Sequence, residues 1–156
     1  LQDFNCCQKT WEDSPYGREK DFYGTSNKNR NAMTTDGTAR IMEEIMQNIS
    51  FNEKNINLKN CLLREIKEQS QDKDANNQIN GFLGEGLPQN IPFWSKAGLM
   101  SEARHDAAWW INRNQSKTLL VVFTEGKEFA NDNNFLPEFS KAIYEFIHSE
   151  KLINLP

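Results

Sequence analysis

The period of apolar and polar positions changes several times along the chain, and each change predicts a different element. Over 93–125, aromatic and aliphatic residues gather in three short extended segments separated by polar links at 100–103 and 112–116, which predicts three consecutive antiparallel strands. Upstream, Met42, Ile45, Met46 and Ile49 recur at three- and four-residue spacing. That is the stripe of a helix over 35–48, with Thr34 or Thr35 as its cap and Asp36 where the helix dipole favours an anion. Leu58, Cys61, Leu62 and Ile66 share one face of a second helix over 58–68, which makes Cys61 a packed, unreactive thiol. A short helix over 78–83 is closed by Pro88. After the strands, Leu136, Phe139, Ile143, Phe146 and Ile147 form the stripe of a helix lying on a sheet. Residues 1–31 show no apolar period and read as loop, with turn-forming Ser14-Pro15-Tyr16-Gly17 and a polar Asn27-Lys28-Asn29-Arg30-Asn31 tract.

Composition narrows the function classes. A chain of 156 residues is one domain's worth, and its apolar fraction of 37% suits long polar loops or a core that lacks part of its material. The formal net charge of -4, with lysines and acids interspersed, leaves no basic stripe for phosphate backbones and disfavours nucleic acid. No apolar run approaches the roughly 18–20 residues of a membrane span. Three cysteines, two of them the adjacent Cys6 and Cys7, make neither a disulfide framework nor a metal spacing, and His105 and His148 add only two imidazoles. No metal or other cofactor is expected.

The candidate chemistry lies on the first predicted strand. There Lys96 stands among Ser95, Ala97 and Gly98, small residues that let a ligand approach the backbone while an ammonium group waits beside it. Phe93-Trp94-Ser95-Lys96-Ala97-Gly98 resembles the Lys-Thr-Gly strand of class A β-lactamases and penicillin-binding proteins. Arg104-His105-Asp106-Ala107-Ala108 resembles the start of that family's next strand, and Met33-Thr34-Thr35 with Ala39 and Met42 resembles its Thr-Thr-Pro helix. The stretches 61–66 and 81–88 are similar to its intervening elements, so the resemblance runs in order from Met33 to Ile147.

The resemblance implies site roles. Lys96 faces the nucleophile and helps hold a substrate carboxylate, on a strand lined by Ser95 and Gly98. The N–H of Leu99 completes an oxyanion hole, a fixed donor aimed at developing negative charge. Ala97 stands where the family carries a hydroxyl, a loss on the order of 1.5–3 kcal/mol of carboxylate binding. Arg104 either offers a bidentate fork to the same anion or forms a surface ion pair with Glu102 or Asp106. Trp11-Glu12-Asp13 resembles the piece of loop whose glutamate activates the deacylating water. Glu12 is thus the candidate base, at a longer distance from Thr34 than the family's, with Glu19 in reserve. Neighbouring His105 and Asp106 point to opposite faces of a strand, so Asp106 takes a structural hydrogen-bonding role and His105 stays a secondary candidate. His148 sits at the negative end of the last helix.

The family's nucleophile lies in Ser-x-x-Lys at a buried helix start, with Ser-Asp-Asn on a facing loop. Ser70-Gln71-Asp72-Lys73 matches the first pattern inside a hydrated tract whose one apolar residue is Ala75, a setting that cannot depress a lysine pKa. It also follows the Thr-Thr helix, which the family's nucleophile precedes, so the match is a chance one. The expectation is an α/β (α+β) β-lactamase-like sandwich, an antiparallel sheet covered by helices, seen as its carboxy-terminal part. Residues 1–156 form a single domain incomplete at the amino terminus, in keeping with Leu1 as first residue. By resemblance the intact protein hydrolyses a β-lactam or peptide-like amide through an acyl-serine, in the periplasm or outside the cell. Its partners are that substrate and a missing amino-terminal segment or second chain. This chain alone is inactive. The alternative is a catalytically inactive module that keeps the cleft to bind cell-wall peptides or a protein.

Overall fold

A computed structural model describes residues 32–47, 55–71 and 77–149, with side chains from Leu58 onward in the second stretch; all but Ala32 and Met33 belong to the unit Thr34–Pro156. Ile49 and the whole of the predicted loop 1–31, with Glu12, Glu19, Cys6 and Cys7, lie outside the described residues. Four strands form one antiparallel sheet in sequence order: β1 (Leu63–Arg64), β2 (Phe93–Met100), β3 (Ala103–Ile111) and β4 (Lys117–Val122). The three predicted strands are thus present with the predicted polar links between them. Around them lie α1 (Thr35–Gln47), α2 (Asn55–Leu62), α3 (Ile66–Gln69), a 3₁₀ turn (Leu83–Gly86), α4 (Lys127–Asn131) and α5 (Phe135–Ser149).

Strand alternation sorts the sheet into two cores. Phe93, Ala97, Ala108 and Trp110 share one face and pack with Ile79, Leu83 and Leu136 from the 3₁₀ region and α5. Ala107 and Trp109 share the other with Met42 of α1, while Trp94, Leu119 and Val121 pack at its margin. Each fully buried large side chain, such as Trp110 or Phe93, stabilises the fold by roughly 1.5–3 kcal/mol. The β3 to β4 turn is organised from inside: Trp110 Nε1 donates to Asn112 Oδ1 (2.9 Å), and Asn112 Nδ2 donates to Ser116 Oγ (3.0 Å) and Thr118 Oγ1 (2.9 Å). Here Gln115 takes up the left-handed φ of 66°.

Local chemistry accounts for α1. The Thr34 hydroxyl accepts the Gly37 N–H (3.0 Å), which makes Thr34 the cap, and Met42 is its buried residue. The predicted second helix is interrupted. It stops at Leu62, Leu63 and Arg64 pair with Trp94 and Phe93, and α3 restarts at Ile66. Hydrogen bonding to the otherwise uncovered end of β2 outweighs helical propensity over two residues. Cys61 therefore does not share a packed face with Ile66: the thiol is exposed, contrary to the expectation of a packed cysteine, while Ile66 is buried. The short helix also moves, appearing as the 3₁₀ turn at Leu83–Gly86. In α5, Leu136 and Ser140 are the buried residues, while Phe139 and Phe146 of the predicted stripe are 37% and 58% exposed. The helix packs on the 3₁₀ turn, where the Ser140 hydroxyl donates to Leu83 O (2.7 Å). Gly86 allows that approach, since a Cβ there would collide with the Pro137 carbonyl.

Candidate functional site

The site is built on the free edge of β2. Pairing with β1 covers only Phe93 and Trp94, so from Ser95 onward no strand lies across this edge among the described residues. Ile111 donates its N–H to Pro92 O (3.1 Å), which sets the hydrogen-bond phase of the β2 and β3 pair. In that phase the N–H and C=O of Ser95, Ala97 and Leu99 turn away from β3 and toward the open edge. Leu99, 54% exposed, is the outermost of these, and Lys96 is exposed on the same strand. Fixed backbone donors beside an ammonium group are an arrangement that can receive an anion. The Lys96 ammonium donates to Ala97 O, and Ala97 N–H donates to Gln78 Oε1 (3.3 Å). Gln78, expected only as the start of a short helix, has no site role in the sequence pattern: its contact spans 19 residues, and no local period announces it.

Three of the expected site residues lie on the other face of the sheet from Lys96. Ser95 and Ala97 are buried there, Ser95 with no exposed surface and with no hydrogen-bond partner for its Oγ. Arg104 is buried on the same face, neither beside Lys96 nor in a surface pair. Its Nη1 donates to Gly81 O (2.9 Å), Nη2 to Ala130 O (2.9 Å) and Asn133 Oδ1 (2.7 Å), and Nε to Ala130 O (3.3 Å). The guanidinium also lies 5.1 Å from the Phe82 ring centroid, so it ties the 77–82 loop and α4 to β3. Gly81 suits this contact, with φ at 77° and no Cβ to meet Arg104 Nη1. Glu102 pairs instead with Lys127 (3.8 Å).

Asp106 is buried opposite Ala97 and accepts the Leu83 N–H on Oδ2 (3.1 Å). Burial pushes its carboxyl up to about 7, against the pull of the Leu83 and Ala107 N–H groups and of the Lys96 and Arg64 charges. Asp106 Oδ1 has no hydrogen-bond partner, and the same holds for Arg64 Nε. His105 points the other way, as alternation requires: its Nδ1 accepts the Thr124 N–H (3.1 Å) and its ring lies 4.7 Å from Phe123. His148 Nδ1 pairs with Tyr144 O (2.6 Å) in the last turn of α5. Ser70 follows α3 and donates to Lys67 O (3.0 Å), with Asp72 and Lys73 outside the described residues.

An antiparallel sheet with helices around it is the fold on which this edge is built. The sequence profile of the beta-lactamase enzyme family matches residues 4–147, and the chain belongs to that family. Its fold is similar to that of a class A β-lactamase from Bacteroides cellulosilyticus DSM 14838 (TM-score 0.61, 19% identity, 84% of this chain and 47% of that one). A β-lactamase from Streptosporangium roseum superposes with a TM-score of 0.60 at 17% identity, over 92% of this chain and 53% of that one. One from Xanthomonas campestris pv. campestris str. ATCC 33913 gives 0.60 at 17% identity, over 76% and 42%. The chain thus spans about half the length of these structures. No curated protein sequence matches it. Among the described residues, no helix is long and apolar enough to cross a membrane.

Proposed function

We propose that this chain is the carboxy-terminal part of a serine hydrolase that cleaves a β-lactam or peptide-like amide through an acyl-serine intermediate. The observation that supports this reading is the exposed Lys96 on a strand whose Leu99 N–H faces an open edge, in a chain of the beta-lactamase enzyme family. A serine from a segment outside this sequence, or from a second chain, attacks the substrate carbonyl and loses its proton to a base. The C–N bond breaks as the nitrogen takes up a proton, and water then hydrolyses the ester to release the acid and restore the serine. Lys96 is the catalytic residue of this strand, holding the substrate carboxylate electrostatically, and Leu99 N–H receives the oxyanion charge. Ser95, Ala97 and Gly98 shape the strand that the substrate meets. Arg104 serves by fixing β3 to its neighbours, through the contacts described above. Glu12 is the proposed base for deacylation. The chemistry needs no cofactor, and by family likeness it belongs in the periplasm or outside the cell.

In a polypeptide that supplies the nucleophile, Lys96→Ala should slow acylation by a penicillin at least tenfold, a loss of about 1.4 kcal/mol in transition-state stabilisation. Because Lys96 is exposed, thermal stability should change by no more than about 0.5 kcal/mol. Stopped-flow acylation that is unchanged in this variant would remove the active site from β2. No acylation of the intact polypeptide, wild type included, would favour a non-catalytic module that binds cell-wall peptides or a protein partner.

A further inference from the structure

One rung of the β2 edge is already occupied by the protein's own side chains. Of the outward-facing residues Ser95, Ala97 and Leu99, Ala97 has its N–H bound by Gln78 Oε1 (3.3 Å) and its C=O bound by the Lys96 ammonium. Gln78 is not loosely placed there. The same oxygen accepts from Arg64 Nη2 (3.1 Å), and Arg64 is anchored through Nη1 to Cys61 O (2.8 Å) and Leu63 O (2.9 Å). No side chain among the described residues closes the Leu99 rung in this way.

We infer that Gln78 is a specificity-determining residue of this edge: by occupying the Ala97 N–H, the rung between Ser95 and Leu99, it leaves no two consecutive rungs open to main-chain pairing, so the site takes compact acyl donors and rejects an extended peptide laid along β2. The inference rests on the reading of β2 as the substrate strand. An added strand gains its affinity from consecutive backbone rungs. Here an extended peptide must first displace the Gln78 oxygen, leaving Arg64 Nη2 without its acceptor as well. A compact donor that presents one carbonyl and one carboxylate meets Leu99 and Lys96 and leaves Gln78 in place.

The test uses this chain, an N-acetylated tripeptide with a free carboxylate, and benzylpenicillin, with Kd values and amide shifts read by NMR titration. In the wild type, the tripeptide should leave the Ala97 amide unmoved. In Gln78→Ala the tripeptide should gain about tenfold in affinity relative to benzylpenicillin, and the Ala97 amide should then shift on its addition. Gln78→Glu keeps an acceptor for both Ala97 and Arg64, so it should behave as wild type. Tripeptide affinity that does not rise in Gln78→Ala, or a wild-type Ala97 amide that already shifts, overturns the inference. Failure of benzylpenicillin to move Leu99 in any form counts separately against the hydrolase reading, whatever the tripeptide does.

Discussion

Asp106 shows how one buried group couples the sheet to pH. It lies within the core with one carboxylate oxygen on Leu83 N–H and the other without a partner, and burial holds its pKa near 7. Arg64 from β1 and the Leu83 N–H from the 3₁₀ turn act on it directly, the Lys96 charge acts from the opposite face of the sheet, and β4 presents the apolar Val122. A folded-state pKa above the unfolded one means that the folded chain holds this proton more tightly. The resulting stabilisation is complete below about pH 4 and is lost as pH rises toward 7, by on the order of 4 kcal/mol over the whole window. Asp106→Asn keeps an oxygen for Leu83 and removes the titration. Urea midpoints measured from pH 4.5 to 7.5 should therefore decline with pH more steeply in wild type than in Asp106→Asn. Parallel curves would show that Asp106 ionises without cost to the fold.

At the scale of elements, β4 is the outer strand of the sheet among the described residues. Asp106, Ala108 and Trp110 turn their backbone groups toward β4, so in β4 it is Leu119 and Val121 whose N–H and C=O face outward. Both residues are apolar and half-buried, which makes this edge a template for another strand. Either a segment outside this sequence or a second copy should pair with it. Amide exchange at Leu119 and Val121 should be fast in dilute solution and slow as concentration rises, while Leu120 and Val122 stay protected throughout. A chain that sediments as a monomer at high concentration, with those two amides already protected, would contradict the edge assignment.

For the whole molecule, the family assignment covers residues 4–147, while the similar structures are about twice as long. The described residues carry the lysine strand but no buried Ser-x-x-Lys at a helix start; Ser70 closes the C-terminal end of α3, its N–H donating to Ile66 O (2.9 Å) and its hydroxyl to Lys67 O (3.0 Å). Incubated with a penicillin, this chain by itself should show no covalent adduct by intact mass spectrometry. Adding a polypeptide that contains the nucleophile helix should restore labelling, on the added chain. Stoichiometric modification of Ser70 would place the nucleophile here and overturn the division of labour proposed above.

The three strands, their polar links, α1 with its Thr34 cap, and the family resemblance were legible in the sequence, because each is written in local alternation, helical spacing or short motifs. The placing of Lys96 on a strand was legible for the same reason, as a charge among small residues on an extended run. The break in the second helix was not, because two residues at Leu63 and Arg64 answer to the open backbone of β2, some thirty positions away in the chain. Nor was the inward turn of Arg104, which depends on carbonyls at Gly81 and Ala130 that only the folded chain brings to one guanidinium. Exposure of Phe139 and Phe146 follows from α5 docking on the 3₁₀ turn through Ser140 rather than along its whole apolar stripe. Gln78 belongs with these: a carboxamide reaching a backbone N–H 19 residues away leaves no mark in any local period, since hydrogen bonds of that range are set by how elements pack.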